Sequence, residues 1–149
     1  PAHLKLSLKT TYGDINVKRI ENDIDILTLT GEVNLSSFGR TNIKTISGDV
    51  YAYLIKPNWK KESKITSSSG NLIITFPELS SLNLIASSNN KILNNFIIKS
   101  TIKNQKHTII YQSKNSPITI SNTTGLITLV DMKNQEVKLS HKEKTQWKK

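Results

Sequence analysis

The chain has 149 residues, a net charge of +10, 36% hydrophobic and 21% charged side chains, and no cysteine. That length suits a single domain that buries its own core, and the missing cysteine excludes disulfide frameworks, thiolate zinc sites, iron–sulfur clusters and cysteine nucleophiles. No apolar run approaches the ~20 residues that cross a bilayer as a helix, and residues 1–10 lack a charged segment followed by an apolar one.

Composition favours strand over helix. Twenty isoleucines stand against three alanines, and fifteen asparagines supply residues that tolerate tight corners. Alternation recurs at Ile24-Asp25-Ile26, Ile118-Thr119-Ile120 and Val137-Lys138-Leu139, whereas no window of helical length keeps a 3.6-residue period.

In chain order, the elements are copies of one unit. Thr10-Thr11-Tyr12-Gly13-Asp14-Ile15 is followed by Thr28-Leu29-Thr30-Gly31-Glu32-Val33 and Thr45-Ile46-Ser47-Gly48-Asp49-Val50. Ser67-Ser68-Ser69-Gly70-Asn71-Leu72 and Asn122-Thr123-Thr124-Gly125-Leu126-Ile127 repeat the shape. The glycines lie 18, 17, 22 and 55 residues apart, and the long gap divides into three coils with corners near Asn90 and His107. Five residues before these seven corners stand Leu8, Ile26, Ile43, Ile65, Ile85, Ile102 and Ile120. Two residues after them stand Ile15, Val33, Val50, Leu72, Ile92, Ile109 and Ile127.

Two aliphatic columns at this period describe stacked coils that bury together what no single coil could bury. The expectation is an all-β chain: one right-handed parallel β-helix, or solenoid, of about seven coils of 17–22 residues. It occupies residues 1–149, with coils over about 5–132 and a C-terminal cap and basic tail over 133–149. Corner glycines serve positive φ or close backbone packing, and the Asp or Asn beside them can satisfy turn amides.

The units at Thr10–Ile15, Thr28–Val33 and Thr45–Val50 resemble the Ser/Thr-Gly-Asp corner of the bacterial β-solenoid family whose members carry an adhesin label. The resemblance covers about residues 5–130 and is sharp in the first three coils; Asn71, Lys91, Thr108 and Leu126 then replace the acidic corner residue. It implies a parallel solenoid, a bacterial origin and a cell-envelope setting, in the periplasm or at the surface. It brings no catalytic residues.

The chemical inventory is thin. His3, His107 and His141 form no nucleophile motif or metal-ligand pair, and no nucleotide-binding glycine loop occurs. The expectation is a protein that is not an enzyme and takes no cofactor. Stacking places Asp14, Glu32 and Asp49 on one edge, a weak candidate for Ca²⁺, with turn capping as the simpler role.

Charge is the larger signal. Residues 1–55 balance six basic against six acidic side chains, while residues 56–149 carry the whole +10. Such a field attracts an anionic glycan or another envelope polyanion, with solubility and protection of sheet edges as the simpler role of the lysines. Lysine predominates over arginine and no stacking motif accompanies it, which disfavours nucleic acid. Trp59, Lys60 and Lys61, in the longest coil, read as an exposed contact loop, and Lys99, Lys103 and Lys106 as part of a basic surface.

The functional expectation is therefore a non-enzymatic envelope or surface scaffold that binds through the side of a solenoid. The alternatives are a bactofilin-like protein that self-associates end to end, in a cytoplasmic setting, and, with less support, a carbohydrate-active β-helix enzyme.

Overall fold

A computed structural model describes residues 5–96 and 101–134. Alternating sequence produces alternating burial. In the strands β3 (Asp23–Thr28), β4 (Val33–Ser37), β5 (Thr41–Thr45), β6 (Val50–Leu54), β7 (Ser63–Ser67) and β8 (Leu72–Phe76), every second side chain turns inward. They follow β1 (Lys5–Thr10) and β2 (Ile15–Ile20) and precede β9 (Leu82–Ser88), β10 (Ile92–Asn94), β11 (Thr101–Lys103), β12 (Lys106–Tyr111), β13 (Ser116–Asn122) and β14 (Ile127–Asp131).

The strands form two sheets. Sheet A has the order β1-β3-β5-β7-β13-β9-β12-β11, and sheet B the order β10-β14-β8-β6-β4-β2. Each coil contributes one strand to each sheet, and neighbouring coils pair in parallel. The result is a parallel β-solenoid flattened to two strands per layer. Its core lies between the sheets and includes Ile26, Ile43, Ile65, Ala86 and Ile120 from sheet A with Val33, Val50, Leu72, Ile92 and Ile127 from sheet B.

The corner is built from three sequence positions. The residue three before the glycine caps the turn: Gly48 N–H donates to Thr45 Oγ1 at 3.2 Å, Gly70 N–H to Ser67 Oγ at 3.0 Å and Gly125 N–H to Asn122 Oδ1 at 3.1 Å. The glycine itself leaves room for the layer beneath, because a Cβ at Gly31, Gly48, Gly70 or Gly125 would run into the carbonyl oxygen of the preceding corner glycine. Left-handed φ is needed only at Gly13 and Gly31, at +108° and +111°. The residue after the glycine reaches to the next layer: Asp14 Oδ1 accepts from Glu32 N–H at 2.8 Å, and Asp49 Oδ1 from Asn71 N–H at 2.8 Å.

Three departures from the expected coil series occur after Gly70. The last coil is not last in space: β13 pairs with β7 on one side and β9 on the other, so β13 and β14 fill the layer between β7/β8 and β9/β10. At Asn90 the corner is one residue shorter. Ala86, not Ile85, then continues the inward column opposite Ile120, and Ile85 points outward with 46% of its surface exposed.

His107 is no corner at all. Lys103 and Lys106 pair across a two-residue turn in which Asn104 and Gln105 both have positive φ, making β11 and β12 an antiparallel hairpin that continues sheet A beyond β9. Ile102 is therefore 62% exposed. Ile109 is buried as expected, but opposite Ala86 in sheet A. Among the described residues, six two-strand layers and a hairpin thus stand where even spacing predicts seven coils. At the end of β14, Asp131 Oδ1 caps a helical turn by accepting from Lys133 N–H and Asn134 N–H; the rest of the expected basic tail lies outside the described residues.

Candidate binding faces

The carboxylate edge is a capping device. Asp14, Glu32 and Asp49 share the corner, but Asp14 and Asp49 face backbone amides of the next layer and Glu32 Oε1 accepts from Asn34 Nδ2 at 2.7 Å. Among the described residues no three His, Cys, Asp or Glu side chains converge as a metal site.

Trp59 corrects the expectation of an exposed contact. It is only 8% exposed; its indole Nε1–H donates to the Pro117 carbonyl at 2.9 Å and its backbone N–H to Ser116 Oγ at 3.0 Å. Trp59 therefore turns inward and clamps the extra residues of the 22-residue coil to the start of β13, while Lys56 and Asn58 stay exposed. Lys60 and Lys61 remain exposed beside this anchor.

The outer face of sheet A holds a concavity rich in cations. A trough of about 790 Å³ is lined by Lys9, Arg40, Lys44, Lys61 and Lys64, with Asp25 and Glu62 as its carboxylates. Register explains the clustering. Ser7, Asp25, Asn42 and Lys64 stand in one outward row across β1, β3, β5 and β7, while Lys9, Leu27, Lys44 and Thr66 stand in the next. Arg40 is held from behind, its Nε–H donating to the Glu62 carbonyl at 2.9 Å.

Most of these cations lack an acidic partner. Among the described residues the ion pairs are Lys5 with Asp25 and Lys133 with Glu78. Burial pushes the Asp25 carboxyl up, but hydrogen bonds from Lys5 and Asn42 and the charges of Lys5 and Arg40 outweigh it and hold Asp25 below its ordinary value of 3.8. Asp25 is thus a carboxylate already committed to one end of the trough.

The expected basic residues do not form one patch. Lys61 lines the trough, and Lys60 faces the clefts around Trp59. Lys103 and Lys106 flank the hairpin turn, beyond the row of Ser67, Asn122, Ser88 and His107, whereas Lys61 precedes Ser63 at the opposite end of the strands. Lys99 lies outside the described residues. Lys9, Arg40, Lys44 and Lys64 were not singled out by the sequence, because a division of charge between chain halves hides a face assembled from both. The signal was present as the column four residues before each corner, where Lys9 and Lys44 stand.

Residues 3–130 match the Toastrack DUF4097 family. The chain belongs to the Toastrack family. The match covers the strands of the Toastrack solenoid from β1 into β14, with both its flat faces and all five corner glycines. No curated protein and no solved structure shows significant similarity to this Toastrack chain. No helix among its described residues is long and apolar enough to cross a membrane.

Proposed function

We propose that this Toastrack chain is a non-enzymatic binding scaffold of the bacterial cell envelope or surface, adhesin-like in role, which holds an anionic glycan or related envelope polyanion against the outer face of sheet A. The observation that carries this reading is the trough, where Lys9, Lys44, Lys61 and Lys64 share the lining with Arg40 and make no ion pair among the described residues. Like charges held on a rigid sheet repel one another, and a polyanion relieves that repulsion without needing the sheet to rearrange. Lys9 and Lys44 are separated by two strand spacings, so a polymer laid across the strands meets two cations ~10 Å apart. Lysine ammonium groups are point charges, suited to dispersed carboxylates or sulfates rather than to base edges.

The strand edges at the β1/β2 end support side-on binding over end-to-end assembly. β1 carries Lys5 and Lys9, and β2 carries Lys18 and an irregular register between Val17 and Ile20 with Arg19 at φ +54°. Lysines and bulges of this kind discourage strand addition. The test is calorimetric titration of the full chain with tetragalacturonate and with heparin at low and at physiological salt. Binding that weakens steeply with salt is expected, and its absence at low salt refutes the reading. Turnover of either saccharide refutes the non-enzymatic part.

A further inference from the structure

The opposite flat face has different chemistry. On sheet B, Asn16, Asn34, Tyr51 and Ile73 stand in one outward row across β2, β4, β6 and β8. Ser36, Tyr53 and Thr75 stand in the next row. Between them lies a groove of about 310 Å³ in which Lys18 is the one charged lining residue among those described. We propose that this groove binds a ring of an uncharged glycan, with Tyr51 and Tyr53 as the stacking wall; the site is independent of the polyanion trough on sheet A.

Geometry shapes the wall. Tyr51 and Tyr53 are two residues apart on β6, so both rings leave the same face, ~7 Å apart along the strand. They are 40% and 39% exposed. Towards β8 they meet Ile73 and Thr75, which cover that flank. Towards β4 they meet only Asn34 and Ser36, whose short side chains leave the rings uncovered. Tyrosines that served the sheet alone would pack against bulky or β-branched partners on both flanks. Here the β4 flank carries the shorter side chains, and the groove runs along it and past Tyr51 and Tyr53 to Ile73 and Thr75.

The polar groups are uncommitted. Among the described residues the Tyr51 and Tyr53 hydroxyls and the Asn16 side-chain amide make no hydrogen bond. Asn34 spends its Nδ2 on Glu32 Oε1 at 2.7 Å and keeps its amide oxygen, and Ser36 Oγ accepts from Arg19 N–H at 2.7 Å and keeps its proton. The floor and walls therefore present donors and acceptors of both kinds beside aromatic carbon. A sugar ring has the matching pattern, with an apolar C–H face and a rim of hydroxyls that donate and accept. A phosphorylated or polyanionic ligand would find one lysine here, against the cluster on sheet A. The volume sits at the small end of ligand sites, with room for one or two rings.

The test is an array of neutral oligosaccharides of glucose, galactose, mannose and N-acetylglucosamine probed with the full chain, followed by titration of the tightest binder. Tyr51→Ala and Tyr53→Ala should each weaken binding about tenfold. Tyr51→Phe should retain most of the stacking, and Asn16→Ala, at an exposed and unbonded side chain, should weaken binding with an unchanged melting temperature. Lys44→Gln should leave neutral-glycan binding untouched while weakening heparin binding, which separates failure of this site from failure of the trough. The proposal is overturned if no neutral glycan binds, if binding survives the Tyr51→Ala/Tyr53→Ala double variant, or if it depends on Lys44 instead.

Discussion

Alanine at Gly48 and at Gly13 should have unequal effects, although both sit in the same Thr-x-x-Gly-Asp unit. At Gly48 the backbone φ suits any residue, but an added Cβ would collide with the Gly31 carbonyl oxygen in the layer below. Relieving the collision requires the layers to part by more than an ångström at this corner. The bonds that set the spacing there are Ser47 N–H to the Leu29 carbonyl at 3.1 Å and Val33 N–H to the Asp49 carbonyl at 2.9 Å. Losing two backbone bonds at about 1 kcal/mol each, with overpacking strain of about 1–3 kcal/mol, gives a cost of roughly 3–5 kcal/mol. For a chain of this size that is a fall in Tm of about 10 °C. At Gly13 nothing lies within contact of the new methyl, and the cost is that of a left-handed alanine, about 1–2 kcal/mol. Gly31→Ala combines clash and φ strain and should be the worst of the three. Urea unfolding followed by circular dichroism, with unchanged slope, measures all three. Equal losses at Gly13 and Gly48, or a loss under about 1 kcal/mol at Gly48, would refute the stacked-corner account.

Ile43→Asp should unfold the chain, because it puts an unpaired charge into the buried column. Ile102→Asp should be tolerated within about 0.5 kcal/mol, since that side chain is exposed on the hairpin; thermal melting distinguishes the two. Trp59→Ala should cost about 3 kcal/mol or more and open the loop between β6 and β7 to limited proteolysis, read by mass spectrometry of the fragments. Asp25 has a folded pKa below its ordinary 3.8, so its stabilisation is complete above that value and is lost as pH falls through the lower folded one. Asp25→Asn should therefore be slightly less stable than the parent chain at pH 6, by no more than about 1 kcal/mol for so exposed a pair, and the difference should shrink as pH falls below 3.8, as thermal melting across that range would read.

How much of this was legible depends on which residues had only one solution. Gly31, Gly48, Gly70 and Gly125 mark the corners because nothing larger fits over the carbonyl beneath. The aliphatic columns on either side follow, since inward positions of a two-sheet solenoid repeat once per layer. The register failed at Ile85 because one missing residue before Ile92 moves every second side chain to the other face. His107 misled because spacing counts residues and not chain direction: the Asn104-Gln105 turn reverses the strand where a coil would have gone on. The insertion of β13 beside β7 leaves no periodic trace, for a column is the same whatever the spatial order of its members. Trp59 looked exposed because it sits among lysines, while its partners Ser116 and Pro117 are distant in sequence. The trough was hidden for the same reason, being composed across strands.

The proposed polyanion site is the face of sheet A and not the overall charge of the chain. Two triple variants of equal charge change decide it: Lys9, Lys44 and Lys64 to Gln in the trough, and Lys91, Lys103 and Lys106 to Gln at the far end of the strands. Elution from immobilised heparin should move to markedly lower salt for the first and little for the second, with melting temperatures unchanged in both. Equal shifts for the two variants would contradict the account and leave only diffuse attraction by a basic protein.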